Sequence, residues 1–284
     1  MADDRDEDWR AGGASVRLSE GSTYWRREGP RDAVPIVLVH GATVPSWEFD
    51  ELVPLLLRAG FQTLRFDLYG HGASDRPAGP YTFGRFARQL AEIVEATDFP
   101  QPAIHLGHSF GAALVAAVAA ARPERVQRLV LVAPMLDFGS TVSWSKLLQT
   151  PLLGEAFMRL VGVPALIHRR RQRYAMMGRP HLTSRFVEQA ADDGFGRAIL
   201  SMFREGALGD KSARYSALRS LDREILVITG DEDTVIPATH VARVRSLLPA
   251  HTHRTISAGH SLLLTHPTTV VASLNEWMAR TPIA

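Results

Sequence analysis

The most constraining feature of the sequence is a series of five short apolar runs, each of which ends in turn-forming or polar residues. Such runs are typical of parallel strands that are buried on both faces of a sheet. They occupy residues 36–39, 63–66, 103–106, 129–132 and 225–228, and the run at 63–66 is more mixed than the others. Segments with apolar residues at helical spacing lie between or after them, at residues 47–59, 83–96, 110–121, 238–248 and 267–280. This alternation predicts an α/β fold with a doubly wound, mostly parallel sheet and helices on both faces.

One long interval, residues 135–220, breaks this alternation. It contains amphipathic fragments, turn residues and many arginines, but no convincing buried strand. We therefore expect a helical insertion that forms a cap, or lid, at the carboxyl edge of the sheet, where open α/β sheets bind ligands. The core would then consist of residues 15–134 and 221–284. The charged segment 1–14 has no periodicity and is predicted to be a disordered tail.

The segment GHSFG at residues 107–111 matches the nucleophile elbow, G-x-S-x-G, known from the α/β-hydrolase fold. A nucleophilic serine in such an elbow occupies a sharp turn between a strand and a helix, and the flanking glycines leave room for it. Here an apolar run precedes Ser109 and a helix rich in small residues follows it. We therefore predict that Ser109 is a nucleophile.

A serine hydroxyl needs a general base, and the base needs an acid that orients it. His260 follows a strand-like segment near the C-terminus, and the loop GDEDTVIP at residues 230–237 follows a core strand. The order serine, acid, histidine is the order that this fold uses. We predict His260 as the base and Asp233 as the acid.

Other residues compete for both roles. Asp231 and Glu232 lie in the same loop as Asp233 but are expected to be solvated charges, and Asp137 follows another core strand. Three more histidines lie near His260 without its loop context, and they are His251, His253 and His266.

An oxyanion hole requires two backbone N–H donors. One should come from Phe110, directly after the nucleophile. The other should come from the turn His40-Gly41-Ala42 after the first core run, with Ala42 as the expected donor.

With these motifs in place, the chain resembles the α/β-hydrolase superfamily along nearly its whole length, most closely esterases and monoacylglycerol-lipase-like members with a helical cap. The segments that carry the resemblance are VLVHGATVPSW, RFDLYGHGASDRP, HLGHSFGAALVAAVAAARPERVQRLVLVAP, ITGDEDTVIP and SAGHSLLLTHP. The resemblance implies the triad Ser109, Asp233 and His260, with Ala42 and Phe110 as oxyanion donors. It also implies a structural loop at residues 67–77, so that His71 is not catalytic. Epoxide hydrolases and haloalkane dehalogenases look similar but have an aspartate at the elbow, so the serine here argues against an alkyl-enzyme route.

Composition excludes several alternatives. The chain has 284 residues and no cysteine, which rules out disulfides, thiolate metal sites and a cysteine nucleophile. The predicted mechanism needs neither a metal nor an organic cofactor. The N-terminus lacks an apolar signal region and no run is long enough to span a membrane, so we expect a cytoplasmic protein.

Charge is distributed unevenly along the chain. The net charge is +2, yet residues 135–220 contain 13 Lys and Arg against 7 Asp and Glu, so the rest of the chain is mildly acidic. No aromatic-interleaved basic motif supports nucleic-acid binding.

The run HRRRQR at residues 168–173 has two interpretations. It is either the solvated face of a cap helix or the source of an arginine that binds a substrate carboxylate, which would favour monoesters of dicarboxylic acids.

The residues therefore predict a serine carboxylic-ester hydrolase that acts through an acyl-enzyme on a small to medium ester. Two alternatives stay open. One is a different reaction on the same triad, either hydrolysis of a carbon–carbon bond in a diketone or perhydrolysis. The other is a ligand receptor without turnover. The triad alone does not separate the reactions, because the selecting groups lie in the pocket.

Overall fold

A single eight-stranded sheet organises the computed structural model, which describes residues 10–138 and 145–280. The strands are β1 (Ala14–Arg17), β2 (Ser22–Glu28), β3 (Val34–Val39), β4 (Phe61–Phe66), β5 (Ala103–His108), β6 (Val126–Val132), β7 (Ile225–Gly230) and β8 (Thr252–Ile256). Their order across the sheet is β1-β2-β4-β3-β5-β6-β7-β8. The first two strands are antiparallel to their neighbours, and all pairs from β4 to β8 are parallel. The predicted α/β class is thereby confirmed.

Twelve α-helices accompany the sheet in the described part of the chain. They are α1 (Val53–Arg58), α2 (Phe83–Ala96), α3 (Phe110–Ala121), α4 (Ser145–Gln149), α5 (Leu153–Phe157), α6 (Val163–Met176), α7 (Leu182–Ala190), α8 (Asp193–Arg204), α9 (Ser212–Ser216), α10 (Ala238–Leu247), α11 (Leu262–Thr265) and α12 (Pro267–Arg280). Helices α4 to α9 belong to the insertion between β6 and β7, so the predicted helical cap is present.

Alternate residues of the central strands enter two separate cores. Val37 and Val39 of β3 join a cluster that includes residues of α2, α3 and the cap helices. Ile36 and Leu38 of the same strand join a second cluster with residues of α1, α11 and α12. A strand that is buried on both faces is mostly apolar along its whole length, which is why β3 has a continuous apolar run rather than an alternating pattern.

The predicted helix at residues 47–59 is wrong in its first half. The structure has a 3₁₀ turn at Ser46–Phe49, and α1 begins only at Val53. Pro54 occupies the first turn of α1, and proline inside a longer helix would remove a hydrogen bond and clash with the preceding turn. The 3₁₀ turn places Glu48 in the interior, where it is 4% exposed.

The two ends of the insertion are joined to each other by hydrogen bonds. The Phe138 amide donates to the Leu208 carbonyl, the Lys211 amide donates to the Leu136 carbonyl and the Tyr215 hydroxyl donates to the Met135 carbonyl, at 2.9, 2.8 and 2.8 Å. We call this joined segment, residues 135–138 with 208–215, the neck. Helix α9 within it also packs against α3 of the core.

The N-terminal tail predicted for residues 1–14 lies largely outside the described residues, which begin at Arg10. Ala14 already belongs to β1. In the described residues, no helix is both long and apolar enough to cross a membrane.

Candidate active site

The predicted nucleophile lies at a strained turn in the centre of the sheet. Ser109 joins β5 to α3 and has φ 53° and ψ −111°, a conformation that non-glycine residues rarely adopt. Its amide donates to the Val132 carbonyl of the neighbouring strand at 2.9 Å, which fixes the turn against the sheet. The side chain is covered, since the residue is only 7% exposed.

The two glycines of the motif are required by close approach of the backbone. A Cβ atom on Gly107 would lie 2.3 Å from the Gly111 carbonyl oxygen, and one on Gly111 would lie 2.1 Å from the Val39 carbonyl oxygen. Both distances are far below any tolerable contact. Glycine at these positions therefore lets α3 start directly above β5 and against β3.

The structure brings His260 and Asp233 together across the ends of β7 and β8. The His260 Nδ1 lies 2.8 Å from Asp233 Oδ2. The other carboxylate oxygen, Oδ1, accepts the amides of Val235 and Ile236 at 2.7 and 3.0 Å. With the Nδ1 proton committed to the carboxylate, the neutral imidazole presents Nε2 as its free acceptor, which is the arrangement of a general base.

The environment sets the charge of both groups. Burial alone would raise the pKa of Asp233, but the hydrogen bonds from His260 and the two amides hold that pKa below its ordinary value. Burial lowers the pKa of His260, and the nearby His108 and Arg170 charges lower it further against the opposing effect of Asp233. At neutral pH the pair is therefore a carboxylate and a neutral imidazole.

The competing acids and histidines lie in other surroundings. Asp231 and Glu232 are exposed, and Glu232 accepts a hydrogen bond from Ser257 at 3.3 Å. Asp137 faces Lys211, whose pKa burial lowers to about 8 while Asp137 opposes that shift. The three other histidines bind local partners, namely His251 with Pro249, His253 with Thr229 and His266 with Thr265.

The loop after β3, expected to hold an oxyanion donor, lies against the elbow. A Cβ atom on Gly41 would be 3.5 Å from the Ser109 Cβ. The Gly41 amide donates to Glu48 Oε1 at 2.9 Å and is thus occupied, which leaves Ala42 as the expected donor of this loop. Phe110 begins α3, and the first amides of a helix have no acceptor within it.

Two buried histidines fix the shape of this loop. His40 Nδ1 donates to the Gly41 carbonyl at 2.7 Å, while its Nε2 accepts the Leu68 amide at 2.8 Å. His71 Nε2 lies 2.8 Å from the Ala42 carbonyl oxygen. This contact agrees with the structural role expected for the loop at residues 67–77. It also fixes the backbone of Ala42, the residue predicted to supply an oxyanion donor.

A buried ion pair beneath the elbow was not anticipated from the sequence. His108, the second residue of GHSFG, places Nδ1 3.0 Å from Glu48 Oε2 and Nε2 3.0 Å from the His260 carbonyl oxygen. The rings of His108 and His260 have centroids 4.9 Å apart. The available signal was an acidic residue between the two aromatic residues Trp47 and Phe49, but nothing local identified its partner.

The cap helix α6 covers this region with part of the basic run. Arg170 donates through Nη2 to Thr43 Oγ1 at 2.5 Å, and its guanidinium lies 5.7 Å from the centre of the Phe186 ring. Thr43 directly follows Ala42, the predicted oxyanion donor. The neighbours of Arg170 in α6, His168, Arg169 and Arg171, are exposed. The run therefore has a solvated face and a face that points into the molecule.

No group of three or more potential metal ligands occurs within residues 10–138 and 145–280. Asp233 and His260 are in contact at the edge of the sheet where the elbow lies, which is the geometry expected of an acid and a base that serve a nucleophile.

Comparison with known proteins identifies the family of this fold. The family model of the alpha/beta hydrolase fold matches residues 34–267. A non-heme chloroperoxidase of Streptomyces lividans is 27% identical over 89% of this chain and 95% of its own length. A bifunctional esterase/perhydrolase of Acinetobacter calcoaceticus is 25% identical over 75% and 79%. A 2-hydroxymuconate semialdehyde hydrolase of Pseudomonas putida is 30% identical over 70% of each chain.

A solved structure has the same architecture. A hydrolase from Pseudomonas aeruginosa PA01 superimposes with a TM-score of 0.73 and 25% identity, over 94% of this chain and 98% of the other.

Proposed function

This chain belongs to the α/β-hydrolase family and is a hydrolase, and we propose that its reaction is the hydrolysis of carboxylic esters by Ser109, His260 and Asp233. The observation that carries the proposal is the 2.8 Å contact between His260 Nδ1 and Asp233 Oδ2, at the edge of the sheet where the elbow lies. It orients the imidazole as the base that a serine needs, and burial keeps the pKa of that imidazole below its ordinary value.

In the proposed mechanism, His260 Nε2 takes the hydroxyl proton of Ser109 as its oxygen attacks the ester carbonyl. The tetrahedral oxyanion is held by the amides of Ala42 and Phe110, each contributing about 3–4 kcal/mol to transition-state stabilisation. His260 then returns the proton to the leaving alcohol. Water attacks the acyl-enzyme in the second step with His260 again as base, which releases the acid and restores Ser109.

The test is steady-state turnover of p-nitrophenyl esters of increasing acyl length by four proteins: wild type, Ser109→Ala, Asp233→Asn and Glu232→Gln. We expect Ser109→Ala and Asp233→Asn each to lower kcat by at least about 10³-fold. Glu232→Gln is the matched control, because it neutralises the adjacent, exposed carboxylate of the same loop, and it should retain activity. Equal losses in the Asp233 and Glu232 variants would contradict the assignment of the acid.

A second reaction on the same triad has support from the names of two relatives, an esterase/perhydrolase and a semialdehyde hydrolase. Two further assays address it with the same proteins. They measure peracid formation from an ester and hydrogen peroxide, and cleavage of a ring-fission-type diketone. Activity on the diketone with none on esters would replace the proposed function by carbon–carbon bond hydrolysis. Multiple turnover in any of these assays would exclude a receptor without catalysis.

A further inference from the structure

We propose that Arg170 and Arg173 of the cap form a binding site for an anionic group of the substrate, so that the preferred substrate is an ester that also carries a carboxylate. The inference rests on the proposed function and names the substrate class for it.

The two arginines lie on the inward face of α6. Residues three apart in a helix share one side, and Arg170 and Arg173 are both partly buried while Arg169, Arg171 and Gln172 are exposed. Tyr174, which neighbours both in the helix, is fully buried. The inward face of this helix is thus the one that meets the core.

Arg170 reaches the rim of the predicted active site. Its Nη2 is 2.5 Å from the hydroxyl of Thr43, which follows the predicted oxyanion donor Ala42 directly in the chain. Its charge is near enough to His260 to contribute, after burial and His108, to lowering the pKa of that imidazole. A group bound to Arg170 would therefore lie close to the reacting atoms.

Arg173 is placed beside Arg170 without a counter-ion. Burial lowers the pKa of Arg173, and the charge of Arg170 lowers it further, with Asp233 acting in the opposite direction. Asp233 is itself committed to His260 and two amides. Two guanidinium groups that repel each other in a partly buried site are unfavourable unless an anion joins them.

The other partly buried arginines of the cap are each paired with a carboxylate. Arg179 pairs with Glu51, Arg185 pairs with Asp50 at 2.8 Å, and Arg204 pairs with Glu155. No carboxylate lies within ion-pair distance of Arg170 or Arg173 in the described ranges 10–138 and 145–280. Arg179 and Arg185 thus tie the cap to the core, and the two partly buried cap arginines without a carboxylate partner lie on the inward face of α6.

Guanidinium groups bind carboxylates through paired, charge-assisted hydrogen bonds, which are among the strongest polar contacts in proteins. A carboxylate between Arg170 and Arg173 would relieve their mutual repulsion. An ester whose acyl or alcohol part ends in a carboxylate would satisfy both the nucleophile and this pair.

The decisive measurement is the ratio of kcat/KM for an anionic ester to that for a neutral ester of similar size, for example mono-p-nitrophenyl glutarate against p-nitrophenyl valerate. We expect Arg170→Gln and Arg173→Gln each to lower this ratio at least about tenfold. Arg169→Gln and Arg171→Gln remove a charge from the exposed face of the same helix, and they should leave the ratio unchanged. An unchanged ratio in the inward variants, or an equal fall in all four, would overturn the proposal.

A second measurement does not depend on turnover. Binding of monomethyl glutarate to Ser109→Ala by calorimetry should be lost on adding Arg173→Gln and kept on adding Arg171→Gln. No binding to Ser109→Ala would overturn the anion site. If binding is lost with Arg173→Gln and kept with Arg171→Gln, but wild type hydrolyses no ester, the proposed function is wrong and the anion site stands. Comparing mono-p-nitrophenyl glutarate with 4-acetoxybenzoate shows whether the acyl or the alcohol part carries the carboxylate.

Discussion

His108 is bound through both ring nitrogens to oxygen atoms that only accept hydrogen bonds. Its Nδ1 lies 3.0 Å from a carboxylate oxygen of Glu48 and its Nε2 lies 3.0 Å from the carbonyl oxygen of His260. Both nitrogens must carry protons to satisfy these contacts, so His108 is an imidazolium paired with Glu48. Burial alone would lower the pKa of His108, but the Glu48 carboxylate raises it above its ordinary value.

The Glu48–His108 pair connects two parts of the predicted site. Glu48 also accepts the amide of Gly41, which lies in the loop predicted to supply an oxyanion donor, and His108 also donates to the backbone carbonyl of His260, the predicted base. The first prediction concerns Glu48→Gln, which keeps the shape but removes the charge. His108 should become neutral, its effect in lowering the His260 pKa should disappear, and the acid limb of the kcat/KM profile should move to higher pH.

The same variant should lose stability in a way that depends on pH. The folded-state pKa of His108 is raised, so the pair stabilises the protein fully below about pH 6.5 and progressively less as pH rises through the folded value. Removal of one partner of a buried pair typically costs about 3–5 kcal/mol. Urea unfolding of wild type and Glu48→Gln at pH 6 and at pH 9 should show the larger difference at pH 6. A difference that does not vary with pH would mean that His108 is neutral in the native protein.

The second prediction concerns backbone strain at the nucleophile. Ser109 has φ 53°, a conformation that costs a non-glycine residue about 1–3 kcal/mol. Ser109→Gly should relieve this strain, whereas Ser109→Ala should keep it. We expect the glycine variant to be more stable than the alanine variant by about 1 kcal/mol in urea unfolding, although glycine elsewhere usually destabilises. The opposite order would show that the turn is relaxed.

The third prediction concerns the attachment of the cap. Arg185 of α7 pairs with Asp50 at 2.8 Å, and Asp50 also pairs with Arg65 of the sheet, so that this carboxylate joins cap and core. Arg185→Ala should increase amide hydrogen exchange in α7 while exchange in the central strands remains slow. Arg159→Ala, on an exposed part of the cap, is the control and should change neither. Uniformly faster exchange throughout the protein would indicate global destabilisation instead.

The fourth prediction concerns a buried histidine of β5 away from the site. His105 is 2% exposed, neither ring nitrogen has a hydrogen-bond partner among the described residues, and burial lowers its pKa to about 4. Its folded-state pKa is depressed, so stability is lost as pH falls from about 6.5 toward 4, by up to about 3 kcal/mol.

His105→Leu should remove this part of the acid sensitivity and stabilise the protein, most visibly near pH 5. Thermal unfolding between pH 4.5 and 8 would measure it, with the exposed His168→Gln as the control. Parallel pH profiles for wild type and His105→Leu would contradict the low pKa.

The parts of the fold that depend on local sequence patterns could be predicted from the sequence alone. Apolar runs buried on both faces and glycines with no room for a side chain leave local signals, and β5, α3 and the turn between them were predicted from such signals. The contact of Asp233 with His260 was also expected, because both follow strands that end at one edge of the sheet.

What the sequence did not reveal depends on distant pairing. Glu48 and His108 are separated by 60 positions, and the turn that buries Glu48 was predicted to be part of a longer helix. Likewise the run at residues 168–173 could not be divided into solvated and inward arginines until the orientation of α6 was known.

The neck gives the insertion a single point of departure and return. Hydrogen bonds from Phe138, Lys211 and Tyr215 join the two segments of the neck. The residues of the predicted triad follow β5, β7 and β8, and none of them belongs to the neck or to the insertion. The insertion can therefore differ in length or sequence without interrupting the strands that carry the predicted triad. Its exchange would change the residues that cover the predicted site, such as Arg170 beside Thr43, while β5, β7 and β8 stay the same.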